Sequence, residues 1–372
     1  MRKIAVFFGG NSCEHEISIL TGVFVLNLLD KTKYVVYPVY IHTDGKTYTS
    51  PKMNDLDVFR SQDLSKFQRI FFEDGSMYAL NSKKERIKRI AKIDCALNCC
   101  HGGLGEGGAL SGIMAWNHIP FASPDLTSSG VFMDKCATKL FLRSINVPTV
   151  EYVRVNEADY QKRGAFLLKN IESRLKYPVV IKPAHLGSSI GITLANNEEE
   201  ARRGIEQAFL IDNRVLVEKF LQDKKDVNCA AYTLGGEIIV SEPEEAFGEG
   251  VYSFEDKYVK KREDGLSPKT TRVKLVTGEL RDKIRAYTKT VYKRMDLTGV
   301  VRMDFLVSEG KAYLCEVNTV PGSLAYYLFC ERVTAARAFF GDLIEEAIRV
   351  SKETEKSLPP TGILKTVQTH RK

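Results

Sequence analysis

The sequence predicts a protein of α/β and α+β regions that begins with a doubly wound parallel-sheet domain. Apolar strand-like runs alternate with helical ones from residue 3 onward, the pattern of parallel strands joined by helices. Two of the early strands run straight into glycine-rich loops, at the strand ends where α/β proteins hold ligands. Past residue 220 the strand runs follow one another through short turns, as antiparallel sheets do.

The elements follow in order. "KIAVFF" reads as a buried strand, a glycine turn leads to an apolar helix through "ISILTGVFVLNLL", and "YVVYPVYI" is the next strand. Asn11 with Glu14 three residues later has the spacing of a capping box at the start of that helix. "DCALNCC" is another buried strand, ending in the loop "HGGLGEGG" before the helix "ALSGIMAWNHI". This α/β unit occupies residues 1–125. A helix over "GVFMDKCATKLFLRSI" opens a second region, 126–222, in which "YPVVIKPAHLGSSIGITLA" reads as strand, glycine–serine loop and strand. The helix around "NEEEARRGIEQAF" and the strand "RVLVEKFL" complete it. The third region, 223–352, runs from strands in "VNCAAYTLGGEIIVSE" through the polar loop "FGEGVYSFEDKYVKKREDG" and a hairpin to a helix through "AARAFFGDLIEEAIRVSK". Residues 353–372 carry two prolines and a basic end and are expected to be a loosely ordered tail.

A chain of 372 residues is long for a single core, in keeping with these three regions. Its 44% hydrophobic and 27% charged residues are those of a soluble globular protein. No apolar run reaches the roughly 18 residues of a membrane span, and the N-terminus turns polar too early for a signal peptide. The eight cysteines show no paired zinc spacing, so free buried thiols are expected, with Cys95, Cys99 and Cys100 in one strand. The net charge of +7 invites a nucleic-acid reading. The basic residues are scattered, however, without aromatic interleaving, and anionic small molecules account for the balance equally well.

The chemistry concentrates in "RMDFLVSEGKAYLCEVNTVPG". Side chains two apart on a strand share a face, so a hairpin turning at Gly310 gathers Arg302, Asp304, Glu316 and Asn318 together. Burying such a group is costly unless something charged binds it, and its hard oxygens suit Mg2+ with phosphate oxygens completing the shell. The competing reading is a solvated sheet face with a chance ion pair. "AHLGSSIG" lets backbone N–H groups and the hydroxyls of Ser188 and Ser189 cradle phosphates, although a plain turn has the same composition. Lys182, in the apolar strand "VVIKP", needs an anionic partner, and a nucleotide phosphate would serve. Glu218 and Lys219 in "VLVEKFL" fall on opposite faces of their strand.

Taken in order, "GGNSCEHEIS", "HGGLGEGGALSG", "MDK", "VVIKPAHLGSSIG", "VLVEKFL", "FEDKY", "RMDF" and "CEVNTVPG" resemble the signature of the D-alanine–D-alanine ligases of the ATP-grasp superfamily, over nearly the whole chain. The resemblance implies a three-region ATP-grasp architecture: an N-terminal substrate domain, a central ATP-grasp domain and a C-terminal catalytic one. It implies ATP-dependent joining of two D-alanines through an acyl phosphate, for peptidoglycan precursor synthesis, in a cytoplasmic homodimer without nucleic-acid or membrane partners. Asp304, Glu316 and Asn318 would hold two Mg2+ ions, with Mn2+ the other metal admitted. Arg302 and the Gly322 N–H would meet the transferred phosphoryl and the oxyanion. Glu14 would hold the first D-alanine's amino group, with Ser188 linking it to Tyr258. Lys135, Lys182, Ser188, Ser189, Lys219 and Lys257 would contact ATP, Glu218 and Leu221 its adenine, and Asp226 its ribose. His101 would sit near the substrate carboxylates. Residues 247–261 would form a lid that excludes water.

Two departures stand out. The glycine loop reads Glu106-Gly107-Gly108 where the family has Glu-Asp-Gly. Tyr327 and Leu328 stand where a Ser-Leu pair usually meets the acceptor carboxylate. A related ligase with a different acceptor therefore stays open beside the first reading, as does a catalytically silent nucleotide-binding protein, which would have no need of Arg302.

Overall fold

The computed structural model describes residues 1–60, 63–81, 86–246, 274–354, 359 and 361. Strand β1 (Arg2–Gly9) has six consecutive buried residues, so it lies inside a sheet covered on both faces. Helix α1 (His15–Leu28) packs closely on it: at Gly22 a Cβ would stand 2.4 Å from the Phe8 ring, so glycine alone permits this approach. The expected capping box is absent. Glu14 offers no side-chain cap; its own N–H donates to Ser12 Oγ at 3.2 Å, which leaves the carboxylate for the site described below.

Strand β2 (Tyr34–Ile41) pairs parallel with β1. The sheet then continues as an antiparallel meander of β3 (Thr47–Thr49), β4 (Gln68–Glu73), β5 (Ser76–Asn81) and β6 (Arg86–Lys92). Arg86, Lys88, Arg89 and Lys92 on the edge strand discourage further pairing. On the other side of β1 lie β7 (Cys95–Asn98), helix α2 (Ala109–Trp116) and β8 (Phe121–Ala122), both strands parallel. The sheet is parallel over β2-β1-β7-β8, as the alternating pattern predicts, and antiparallel beyond.

The single helix expected over 130–145 is two, α3 (Leu126–Met133) and α4 (Lys135–Ser144). Asp134 separates them, its Oδ1 accepting the N–H groups of Cys136 at 2.8 Å and Ala137 at 3.2 Å. An aspartate in that position ends one helix and caps the next.

The second sheet contains β9 (Tyr152–Asn156), β10 (Val179–Pro183), β11 (Thr193–Ala195) and β12 (Arg214–Lys219), antiparallel in the order β11-β10-β12-β9. Helices α5 (Glu157–Leu175) and α6 (Glu198–Ala208) bring Ile171, Leu175 and Ile205 to its core beside Ile181 and Val217. The third sheet is also antiparallel, with β13 (Lys225–Leu234), β14 (Glu237–Val240), β15 (Glu244–Glu245), β16 (Val301–Ser308) and β17 (Lys311–Asn318). Helix α7 (Gly278–Arg294) packs Ile284, Val291 and Tyr292 into its core. Helix α8 (Ala336–Thr354) sends Phe339, Phe340 and Ile344 into a core shared with Phe8, Val25 and Tyr232, which joins the first and third sheets. All eight cysteines are free, with Cys95, Cys99 and Cys100 buried. Among the described residues no helix is long and apolar enough to cross a membrane. Most of the tail 353–372 lies outside them.

Candidate active site

The register of β16 and β17 sets Arg302 opposite Asn318 and Asp304 opposite Glu316, with a bulge after Asp304. The four side chains therefore share a face, as the period of two requires. The Arg302 guanidinium grips Asp304 with two hydrogen bonds, Nε to Oδ1 at 2.7 Å and Nη2 to Oδ2 at 2.9 Å. Its Nη1 donates to the Tyr327 hydroxyl at 3.1 Å. Asn318 Nδ2 donates to Asp304 Oδ2 at 3.0 Å, and Lys135 Nζ lies 3.0 Å from Glu316 Oε1. Burial opposes the charge on Arg302, but Asp304 and Tyr327 more than offset it and hold the group well above its ordinary value.

The second sheet contributes the lysines. Val180 lies opposite Glu218 in the β10–β12 register, so Lys182, two residues on, shares a face with that carboxylate. Glu218 is buried and takes both Lys182 and Lys139 of α4. Burial opposes ionisation of Glu218, yet these two ammonium groups bring its carboxyl down to about 2. An anionic partner for Lys182 is thus supplied by the protein itself, in Glu218, where the sequence suggested a nucleotide phosphate. Lys139 was not anticipated, although its i+4 spacing from Lys135 puts both on one helix face. Its Nζ also donates to Thr149 Oγ1 at 2.7 Å, which its place in a helix does not reveal.

The glycine–serine loop joins these groups to Glu14, ahead of helix α1. Lys135 Nζ donates to Leu186 O at 2.6 Å, and Ser188 Oγ donates to Glu14 Oε1. A Cβ at position 187 would meet Glu14 Oε2 at 2.8 Å, so Gly187 is what lets the loop approach that carboxylate. The loop "HGGLGEGG" forms the other wall. His101 is buried, its Nδ1 2.7 Å from Val320 O and its Nε2 2.8 Å from Thr21 Oγ1. A carbonyl only accepts, so Nδ1 carries the proton and Nε2 accepts from Thr21. Burial lowers His101 to about 4 and keeps it neutral. Thr21 Oγ1 in turn accepts the N–H of Ser323 at 3.3 Å, beside Gly322. Glu106, pushed up to about 7 by burial, accepts from Gly102 N–H at 2.8 Å and Val320 N–H at 3.1 Å.

The remaining expected residues are placed as follows. Ser189 follows Ser188 in the loop, Lys219 is exposed, and Leu221 is half-buried. Asp226 pairs with Lys224 at 2.8 Å. Leu328 belongs to the core shared by the first and third sheets. Lys257, Tyr258 and the expected lid lie outside the described residues. At the first departure a Cβ on residue 107 would stand 2.8 Å from Gly103 O and 3.3 Å from Met133 Cγ, which leaves no room for the family's aspartate. At the second, the Tyr327 ring packs beside Tyr326 with centroids 6.1 Å apart while its hydroxyl reaches Arg302.

Among the described residues no group of three or more His, Cys, Asp or Glu side chains could hold a metal ion. Asp304, Glu316 and Asn318 form a set of two carboxylates and one carboxamide, balanced by Arg302 and Lys135. That chemistry fits Mg2+ when substrate phosphates supply further oxygens.

A glycine–serine turn on one antiparallel sheet, set against an acidic hairpin face on another, is the arrangement of the ATP-grasp enzymes, and the solved neighbours have this fold. Family models described as D-ala D-ala ligase N-terminus and D-ala D-ala ligase C-terminus match residues 3–124 and 141–349. The chain is 34% identical to the D-alanine–D-alanine ligase of Thermosipho africanus over 366 residues, 96% of this chain and 95% of that protein. Its fold matches the ligase of that name from Coxiella burnetii with a TM-score of 0.77 at 24% identity, covering 95% of this chain and 97% of the other. It matches the VanG D-Ala:D-Ser ligase of Enterococcus faecalis with a TM-score of 0.72 at 25% identity, covering 94% and 99%. The chain belongs to the D-alanine–D-alanine ligase family.

Proposed function

We propose that this enzyme joins two D-alanines to D-alanyl-D-alanine, driven by ATP, for peptidoglycan precursor synthesis. The observation that carries the reading is the hairpin face of Arg302, Asp304, Glu316 and Asn318, set beside Lys135, Lys182 and the glycine–serine loop. A carboxylate oxygen of the first D-alanine takes the γ-phosphoryl group, giving an acyl phosphate and ADP. The amine of the second D-alanine attacks the acyl carbon, and the C–O bond to phosphate breaks as the peptide bond forms.

The residues divide the work. Lys135 and Lys182 would neutralise phosphate charge, Lys139 and Glu218 would fix the place of Lys182, and backbone N–H groups at Ser188 and Ser189 would face the phosphates. Lys219, Glu218, Leu221 and Asp226 would border the nucleoside. Asp304, Glu316 and Asn318 would hold the two Mg2+ ions, which relieve phosphate charge during transfer. Arg302 and the Gly322 N–H would stabilise charge developing on the phosphoryl group and the oxyanion. Glu14, fixed by Ser188, would hold the first substrate's ammonium, Ser188 would link it to Tyr258, and Lys257 would contact ATP. His101, through Thr21 and Ser323, would hold the Gly322 turn in front of the substrate carboxylates, and Leu328 would back the acceptor site. The regions 1–125, 126–222 and 223–352 would serve as substrate, central nucleotide and catalytic domains.

Tyr327 favours a second reading of the same chemistry, in which the acceptor is not D-alanine. We further propose a cytoplasmic homodimer. Ile113, Trp116 and Leu126 are exposed, and Leu126 lies against α2 at Gly112, so together they offer an apolar face. Incubating the protein with ATP, Mg2+ and a panel of D-amino acids and D-lactate, with ADP counted and product masses measured, tests the function. D-alanyl-D-alanine formed one-for-one with ADP supports it. ADP release only with another acceptor selects the second reading, and no amino-acid-dependent ADP release overturns both.

A further inference from the structure

His185 stands at the root of the glycine–serine loop, outside the roles assigned above. Its backbone N–H donates to Asp212 Oδ2 at 2.8 Å, and its Nδ1 donates to Asp212 Oδ1 at 2.9 Å. Its Nε2 lies 3.7 Å from Asp134 Oδ2, the oxygen that also takes Arg214 Nη1. Asp134 is the residue that caps α4, the helix beginning with Lys135. The neighbours of His185 hold Lys135 on both sides: Ala184 O accepts its backbone N–H at 3.0 Å, and Leu186 O accepts its Nζ at 2.6 Å. One imidazole thus connects the helix bearing Lys135, the turn after α6 and the root of the loop.

The charged groups facing the ring are Asp134 before α4, Asp212 after α6 and Arg214 at the start of β12. The Lys135 ammonium is turned away, toward Leu186 and Glu316. With the ring protonated, two cations meet two carboxylates. With it neutral, the cluster carries an uncompensated negative charge and loses a donor. The nearby Asp134 carboxylate and the hydrogen-bonded Asp212 raise His185 to about 9, so the cation is the resident form at neutral pH. The loop needs a brace of this kind: Ser188 and Ser189 sit at φ 52° and 60°, a left-handed region that non-glycine residues hold only when their surroundings fix it. Ser188 is fixed at its tip by Glu14, and the root has His185.

We propose that His185 is a positioning residue for nucleotide binding, a cation that bridges Asp212 and Asp134 and so fixes Lys135 and the Ser188–Ser189 turn in one arrangement. This rests on the reading of Lys135 and that turn as ATP contacts. Because the protonated state is stabilised in the fold, the brace is complete below the ordinary histidine range and is lost as pH rises through about 9.

Three variants test it: His185→Ala, His185→Asn and His185→Arg, the last a permanent cation. At about pH 7.5 the first two should weaken ATP binding at least about tenfold, near the lower end of what one lost charge-assisted hydrogen bond contributes. Their kcat at saturating ATP should stay within about threefold of wild type, since nothing at the reacting atoms is removed. His185→Arg should recover most of the affinity. The wild-type KM for ATP should climb between about pH 8 and pH 10, and that of His185→Arg should not. Amide hydrogen exchange at residues 186–190 of the ligand-free protein supplies a readout free of any assumption about function. It should quicken in His185→Ala and His185→Asn and hold in His185→Arg. Unchanged exchange and ATP affinity in His185→Ala, or an alkaline loss in His185→Arg equal to that of wild type, would overturn the proposal. Wild-type protein that binds no ATP would bring down the ligase reading, and the exchange result would still decide whether the brace exists.

Discussion

Tyr327→Phe isolates the second of the two features in which this chain leaves its family. The ring packs beside Tyr326 and against the core that joins the first and third sheets, and phenylalanine keeps that packing. What is lost is the hydroxyl, which accepts from Arg302 Nη1 at 3.1 Å. A hydrogen bond to a charged group contributes about 1.5–3 kcal/mol. At 1.36 kcal/mol per tenfold change in rate, kcat/KM for the acceptor should fall roughly 13- to 160-fold. The hydroxyl meets Arg302 of the hairpin face, and the substitution leaves the residues proposed to border the nucleoside as they are, so the KM for ATP should change less than about twofold. Steady-state kinetics with each substrate varied in turn, beside a thermal melt, make the measurement. Unaltered acceptor kinetics with a lowered Tm would refute the reasoning and leave Tyr327 as packing alone.

Glu316→Gln keeps the shape of the hairpin face but removes the charge of a proposed metal ligand. Mg2+-dependent turnover should fall at least about a hundredfold while the fold survives, and near-normal turnover at low Mg2+ would move the metal elsewhere. Glu218→Gln leaves the buried ammonium groups of Lys139 and Lys182 without their shared anion, and unfolding titrations should show a loss of about 3–5 kcal/mol. Adding Lys139→Met should restore part of that loss by removing one of the two stranded charges; a double variant less stable than Glu218→Gln would contradict this account of the triad.

The hairpin quartet was legible in the sequence because a period of two fixes which side chains share a face, whatever the strand packs against. The parallel strands of the first sheet were legible for a related reason: "KIAVFF" and "YVVYPVYI" are rich in apolar residues. The meander from Thr47 to Lys92 gives no such sign, since its strands are short and its edge is basic. The break at Asp134 was hidden because apolar residues continue on both sides of it. Lys182 invited a phosphate partner because a strand viewed alone does not show its neighbour. Only the β10–β12 register brings Glu218 to it, and only the placement of α4 adds Lys139. His185 reads as one polar residue in a loop until Asp134 and Asp212, distant in sequence, are seen to converge on it.

The central claim is that ATP activates a carboxylate as an acyl phosphate. Supplying D-alanine with 18O in both carboxylate oxygens and weighing the products tests it most directly. The account predicts one labelled oxygen in each phosphate released, because the oxygen that takes the phosphoryl group departs with it when the amine attacks. Dipeptide formed alongside wholly unlabelled phosphate would contradict it.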